Sequence, residues 1–361
     1  MPIWLCLRMP RDERGAKGLS RLARRDGWQR MRFCNLDEMR RWFSILFALL
    51  GAWMCAGQDV HFSQVDADLV LLNPAYAGFY QGTGRFGVLY RNQWASVSVP
   101  YQTVAVSGEM AVWRGGIRNG LSVGASVFND DAGSLSYGTT SGHLSLAYYR
   151  SLNRAGTSVL SVGVEGGWAQ SGYDPSRAEM EDASERFDVP KVDYPLLAAG
   201  VALYWQLSAY FHTKVGLSVR NLNRPNISYM KLDDTFLERR YCLFARAEYR
   251  CWQSISLLPL VMAQMQGRHR ELIYGGDLKW YIEEGGAHEV SLRAGLAYRH
   301  GDALLASLMM EYDSFLFAFC YDANVSGLSV ASGGVGAFEG GVVYRFAERN
   351  KRVKRIKCPQ Y

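Results

Sequence analysis

The feature that most constrains this chain is alternation. From Gly84 to Phe346, apolar and polar residues trade places with a period of two, in one segment after another. Phe86, Val88, Tyr90 and Trp94 share one face of a strand, and Arg85, Gly87, Arg91 and Gln93 share the other. Val290, Leu292, Ala294, Leu296 and Tyr298 repeat the theme against Ser291, Arg293, Gly295 and Arg299. Phe315, Phe317, Phe319 and Tyr321 do so against Ala318, Cys320 and Asp322. An apolar face opposite Arg, Gly and Asp is the pattern of a strand with lipid on one side and a polar lumen on the other. The slightly negative mean hydropathy, −0.12, is what such alternation averages to.

About fourteen segments carry the pattern, near 84–95, 101–113, 119–129, 138–151, 157–170, 194–207, 210–221, 239–252, 254–266, 271–283, 288–300, 302–312, 314–324 and 335–346. They are longer than the ~5–6 residues of a soluble strand and match the ~9–11 that cross a bilayer. The connections sort by parity. Those after even-numbered strands are short, and the longest, 129–138, 170–194, 221–239 and 324–335, follow odd-numbered ones. Short turns on one side and long loops on the other are expected of an outer-membrane β-barrel of about 14 antiparallel strands. A soluble sandwich has no reason to sort its loops. The long loops are read as a solvated cap or a partner surface.

The last segment reads like a barrel-closing strand. Glu339, Gly341, Tyr344 and Phe346 fall in the order polar, Gly, aromatic, aromatic. Tyr344 and Phe346 share a face suited to an interfacial aromatic girdle, and Gly341 has the opposite parity.

Ahead of the barrel, Trp42 to Ala56 is apolar but shorter than the ~20 residues of a spanning helix. It follows Arg40-Arg41 and ends in Cys55-Ala56-Gly57, which describes a secretory signal peptide of about 39–57 with cleavage before Gln58. Bulky Ala52-Trp53-Met54 argues against a lipoprotein signal at Cys55. Residues 1–38 read as an over-long gene start. Residues 58–83, with turns marked at Pro74 and Gly78, read as a periplasmic entry segment that packs against or into the barrel at 84–346. Residues 347–361 form a basic tail.

Charge belongs to the ends. Residues 1–41 carry a net +6 and 347–361 a net +5, so the +6 of the whole chain leaves the body at −5. Nothing there suits nucleic acid. The seven Cys make no Cys-x-x-Cys or Cys/His group, so neither a metal nor a cofactor is expected. No catalytic set stands out either. His143 and Ser145 share a strand face, but no third group is evident in sequence to orient the His. Six Arg are predicted to face the lumen: Arg85, Arg91, Arg246, Arg250, Arg293 and Arg299. They read as one half of a salt-bridged lumen completed by Glu109, Glu248, Asp277 and Glu311, or else as an anion path or a plug-docking surface.

Three stretches together carry a resemblance. They are Gln58-Asp-Val-His-Phe-Ser-Gln64, Asn73-Pro-Ala-Tyr-Ala-Gly78 and Tyr90-Arg-Asn-Gln-Trp94, followed late in the chain by Tyr321-Asp-Ala-Asn-Val-Ser326 and Val343-Tyr-Arg-Phe346. In this order they resemble the PorP/SprF family. The resemblance implies a non-enzymatic outer-membrane component of the type IX secretion and gliding machinery of a Gram-negative bacterium. Its implied partners are the periplasmic ring, a peptidoglycan-binding lipoprotein, and a secreted surface protein or adhesin. It marks Asn73, Pro74, Gly78, Arg91, Asn92, Gln93 and Trp94 as structural or docking positions. The alternative is an outer-membrane diffusion channel or small-solute transporter. The basic tail departs from the pattern, since a closing strand ordinarily ends the chain.

Overall fold

The computed structural model describes residues 62–64, 69–80, 82–93, 99–115, 119–133, 137–173, 191–228, 235–285, 287–326 and 334–346. The leader, Trp94 and the basic tail lie outside the described residues. Fourteen strands follow in order: β1 Gly84–Gln93, β2 Tyr101–Arg114, β3 Asn119–Ala132, β4 Tyr137–Ser151, β5 Ser158–Gly172, β6 Lys191–Gln206, β7 Phe211–Arg220, β8 Arg240–Trp252, β9 Ile255–Gln266, β10 His269–Glu283, β11 Val290–Arg299, β12 Ala303–Tyr312, β13 Phe315–Asn324 and β14 Val335–Phe346. Each pairs antiparallel with its sequence neighbours, and β14 returns to β1 to close the barrel. Closure gives every strand two partners, which is the condition for crossing lipid without orphaned backbone groups.

The alternation has the predicted sense. Phe86, Leu144, Val164, Leu296 and Phe319 point outward and are exposed, while Arg91, Glu109, Glu165, Asp277 and Glu339 point inward and are buried. The strands differ from the sequence reading at their ends. β3 and β4 run on to Ala132 and Tyr137, because Asn129, Asp130 and Asp131 keep their cross-strand partners beyond the apolar band. Asn129 Nδ2 donates to Thr140 Oγ1 at 2.7 Å, and Thr103 Oγ1 donates to Asp130 Oδ1 at 2.6 Å. The first is a cross-strand polar pair of the β3–β4 hairpin, and the second ties β3 to β2 on the lumen side, where Thr103 is buried.

The lumen is not uniformly polar. Tyr204, Phe244, Met262, Ile273 and Leu305 point inward and cluster with Leu69, Ala75, Tyr76 and Phe79 from ahead of the barrel. A smaller cluster of Leu89, Ala105, Met309, Ala318 and Val343 receives Phe62 and Leu71. Phe62 and residues 69–79 are therefore part of the core of the barrel. Below, the terminal end is the one that holds Gly84 and Phe346, and the loop end is the opposite one.

Candidate functional site

Residues 69–80 are tied to the wall at every turn. The single turn α1, Leu69–Leu72, leaves carbonyls that would be orphaned in a lumen. The wall supplies donors: Ser218 Oγ to Leu72 O at 2.8 Å and Arg220 Nη1 to Leu71 O at 2.5 Å. Asn73 caps the 3₁₀ turn Pro74–Tyr76, its Oδ1 accepting from Ala75 N at 2.9 Å. Its Nδ2 donates outward, to Val201 O at 3.0 Å and Leu217 O at 3.2 Å, and so fastens the turn across β6 and β7. Tyr76 lies edge-on to Phe79 and to Phe244 of β8, with ring centroids 5.9 and 6.0 Å away.

The seat for this turn is made of glycine. A Cβ on Gly163 would fall 2.4 Å from Ala75 N, on Gly200 2.0 Å from Asn73 Oδ1, and on Gly216 2.4 Å from Tyr76 Oη. Three neighbouring strands thus omit the side chain where the turn comes closest. Gly78 is fixed twice over. Its φ is +83°, and a Cβ there would meet Ser122 Oγ at 2.0 Å. Its N–H donates to Glu109 Oε2 at 2.9 Å, and Glu109 also pairs with Arg85.

Nearer the loop end a second anchor holds residues 63 and 64. Ser63 N and Gln64 N donate to the two oxygens of Glu339, at 2.8 and 2.9 Å. Ser63 Oγ donates to Asp322 Oδ2 at 2.8 Å and accepts from Arg91 Nη1 at 3.0 Å and Arg299 Nη2 at 2.6 Å. Arg91 pairs with Glu339 directly opposite it across the β1–β14 seam, and with Asp322 at 3.3 Å. Arg299 reaches Asp322 at 3.1 Å. All four charged side chains are buried, where charge persists only when paired. The expected salt-bridged lumen is present, with several of its partners corrected, and Arg250 pairs with Glu284, another acid outside the predicted set. Arg91 and Arg299 pair with Asp322, Glu339 and Glu271, acids outside the predicted set, and Glu248 engages His212 and Tyr281 instead of an Arg.

The structure also corrects the reading of His143. Its hydroxyl partner is Ser141, at 2.8 Å from Nε2, and a third group is in place, with Glu165 Oε1 3.1 Å from Nδ1. Ser145 bonds Glu165 instead, at 2.9 Å. Ser, His and Glu in this order have the relation of a hydrolytic triad. Their setting argues for a latch. Arg220, which holds the Leu71 carbonyl, also grips Glu165, and Phe128 lies parallel to the His143 ring. Ser141 is 2% exposed, so an acyl substrate has no approach to its oxygen. A fluorophosphonate probe is expected to leave Ser141 unmodified in the folded barrel. Labelling lost in Ser141→Ala would identify a reactive serine instead.

Of the other positions singled out in sequence, Arg91 and Glu339 meet each other, while Gln93 accepts from Arg91 at 3.2 Å. Asn92 is directed away from the lumen and donates to Tyr90 Oη at 3.3 Å. Gly341 makes room for Leu89 across the seam, where a Cβ would lie 2.4 Å from Leu89 Cδ2. Tyr344 packs on Phe315 and Phe346, both at 4.9 Å between centroids. The sequence reading missed Glu165, Arg220, Ser63 and the glycines 163, 200 and 216. The sequence signal of the glycines is inward parity without bulk, that of Glu165 and Arg220 is a charge at inward parity, and Ser63, which lies in no strand, has none. Among the described residues no group of three or more His, Cys, Asp or Glu could hold a metal ion.

A closed antiparallel barrel with an apolar exterior, its lumen occupied by residues 62–64 and 69–80, is an outer-membrane-type β-barrel with an internal plug. The chain belongs to the PorP/SprF family of type IX secretion system membrane proteins, whose match spans residues 54–344. No curated protein matches it. Among solved structures it is similar to the monoaromatic hydrocarbon channel CymD, at 12% identity and TM-score 0.46, covering 82% of this chain and 96% of that one. It is also similar to the Ralstonia pickettii toluene transporter TbuX, at 9% identity and TM-score 0.46, covering 77% and 93%. A Pseudomonas aeruginosa FadL homologue matches at 12% identity and TM-score 0.46, covering 76% and 93%.

Proposed function

We propose that this secretion-system membrane protein is a non-enzymatic docking barrel of the outer membrane of a Gram-negative bacterium. In this reading the terminal end faces the periplasm, as short turns do in such barrels. There it meets the ring and a peptidoglycan-binding lipoprotein of the type IX machinery. The long loops meet a secreted surface protein or adhesin, aiding its export or anchoring and so serving gliding. A secretory leader ending near Gln58 fits this location. Asn73, Pro74 and Gly78 then serve docking indirectly, by holding the plug.

The observation that carries the reading is the filled lumen. Residues 62–64 and 69–80 are hydrogen-bonded to β1, β2, β6, β7, β11, β13 and β14, which leaves little reason for a diffusion path. The test is affinity purification of tagged chain from outer membranes, with identification of what accompanies it, beside conductance in a planar bilayer. Secretion components in the eluate and a silent bilayer are the expected results. The double variant Asn73→Ala/Gly78→Val should lose the companions while the barrel still folds. A conducting barrel without companions would favour the diffusion channel.

A further inference from the structure

The exterior does not finish evenly at the terminal end. Aromatic side chains border the apolar band there, with Tyr148, Trp205, Tyr249, Trp280, Tyr312 and Phe315 all exposed. Beyond them the turns differ by side. From β4 to β9 they stay apolar. Leu152 of the β4–β5 turn is 59% exposed, Leu207 and Tyr210 of the β6–β7 turn are 51% and 64% exposed, and Trp252 at the end of β8 is 68% exposed. Arg150 and Arg154 stand exposed beside Leu152. From β10 to β13 the turns are charged. Glu284, His288 and Glu289 of the β10–β11 turn and Asp313 of the β12–β13 turn are exposed, and His288 pairs with Asp313 at 2.9 Å. The apolar turns are held in shape. Thr157 N donates to Asn153 Oδ1 at 3.0 Å, and Leu207 N and Ser208 N donate to Phe211 O at 3.0 and 3.1 Å. Each is also tied to the next: Gln206 N donates to Thr157 O at 2.7 Å, and Arg250 N to Tyr210 O at 2.8 Å.

We infer that the β4–β5, β6–β7 and β8–β9 turns lie in the phospholipid headgroup layer of the leaflet at the terminal end, while the β10–β11 and β12–β13 turns stand clear of it in water. Continuity selects the occupant. Leu207 follows Trp205 just past the end of β6, and Trp252 follows Tyr249 at the bulged end of β8, so the patch extends the lipid-facing exterior without a break. Leu, Tyr and Trp beside Arg suit the interface layer, where apolar bodies meet the acyl boundary and guanidinium groups meet phosphate. In water the same side chains would forfeit the free energy of their transfer. The inference goes beyond the docking reading and does not rest on it, since it requires only that the barrel spans a bilayer. It leaves the β10–β11 and β12–β13 turns, among the described turns of this end, as those open to a partner in the water.

The test attaches a nitroxide to one cysteine at a time, in Leu152→Cys, Leu207→Cys, Tyr210→Cys, Ala287→Cys and Glu289→Cys, with the other exposed cysteines of the full chain changed to Ser. All five positions are exposed and lie outside the strands, and unheated gels confirm that each barrel is folded. The chain is placed in vesicles of phosphatidylethanolamine and phosphatidylglycerol that hold no other protein. Spin relaxation by oxygen, which concentrates in the bilayer, is compared with relaxation by a nickel chelate, which stays in water. The oxygen-to-nickel ratio should be several-fold higher at positions 152, 207 and 210 than at 287 and 289. Ratios as low as those at 287 and 289 would overturn the inference and leave the patch in water, open to a protein partner. Labels that neither reagent reaches, and that broaden as more chain is packed into each vesicle, would overturn it in favour of a second copy seated on the patch.

Discussion

Gly163→Val is expected to turn a silent barrel into a conducting one. The added Cβ would stand 2.4 Å from Ala75 N, 2.5 Å from Pro74 C and 2.7 Å from Ala75 Cα. These are backbone atoms of the 3₁₀ turn, so no rotamer change relieves the clash. Ordinary overpacking costs about 1–3 kcal/mol, and a collision with fixed backbone costs more. Residues 69–80 are bound to the wall by a handful of hydrogen bonds worth about 1 kcal/mol each, whereas the β5 ladder is paired along its full length on both sides. The weaker partner gives way, so the turn leaves its seat and the strands stay. Planar-bilayer recordings should show discrete openings, and added protease should cut the chain near Asn73. Gly166→Val is the control, because a Cβ there meets nothing within 4 Å. A Gly163→Val barrel that stays silent, with residues 69–80 protected, would mean that the strands moved and the plug held.

Arg91→Met should be the most destabilising single change at the seam, by about 3–5 kcal/mol. The loop-end anchor gathers Arg91 and Arg299 with Glu271, Asp322 and Glu339, all buried. Removing Arg91 leaves one cation among three carboxylates. Glu339→Gln instead leaves two of each, and its side-chain oxygen can still accept one of the two N–H bonds from residues 63 and 64. The glutamine variant should therefore cost much less than the methionine variant. Arg91→Met/Glu339→Met restores the balance, and it should recover part of the loss even though both amides lose their acceptor. Thermal melts in detergent, followed by the shift from folded to unfolded mobility on unheated gels, measure all three. If Glu339→Gln is the more damaging, the two backbone amides and not the charge balance govern the anchor.

The lumen shows where a linear reading stops. His143 could be placed inward from its strand alone, yet its partners Ser141 and Glu165 could not be chosen over Ser145 without the β4–β5 register, which sets Leu144 opposite Gly166. Gly163, Gly200 and Gly216 look like tolerated strand glycines until the turn at Asn73 is seen against them. Asn73-Pro-Ala-Tyr-Ala-Gly78 reads as a turn from its own residues, and Asn73 and Pro74 do start one. That the turn seats inside a barrel is not written in it.

What the sequence determined by itself is everything that repeats locally. The period of two, the number of strands, the face each side chain takes and the sorting of turns from loops all follow from neighbours along one strand. What only the tertiary structure decided is who meets whom inside. Arg91 finds Glu339 across 248 positions of sequence, and Ser63 N finds the same carboxylate across 276. Those meetings depend on closure. The shear between β1 and β14 sets which inward residues share a level of the barrel, and a slip of one residue at the seam would turn Glu339 to the lipid.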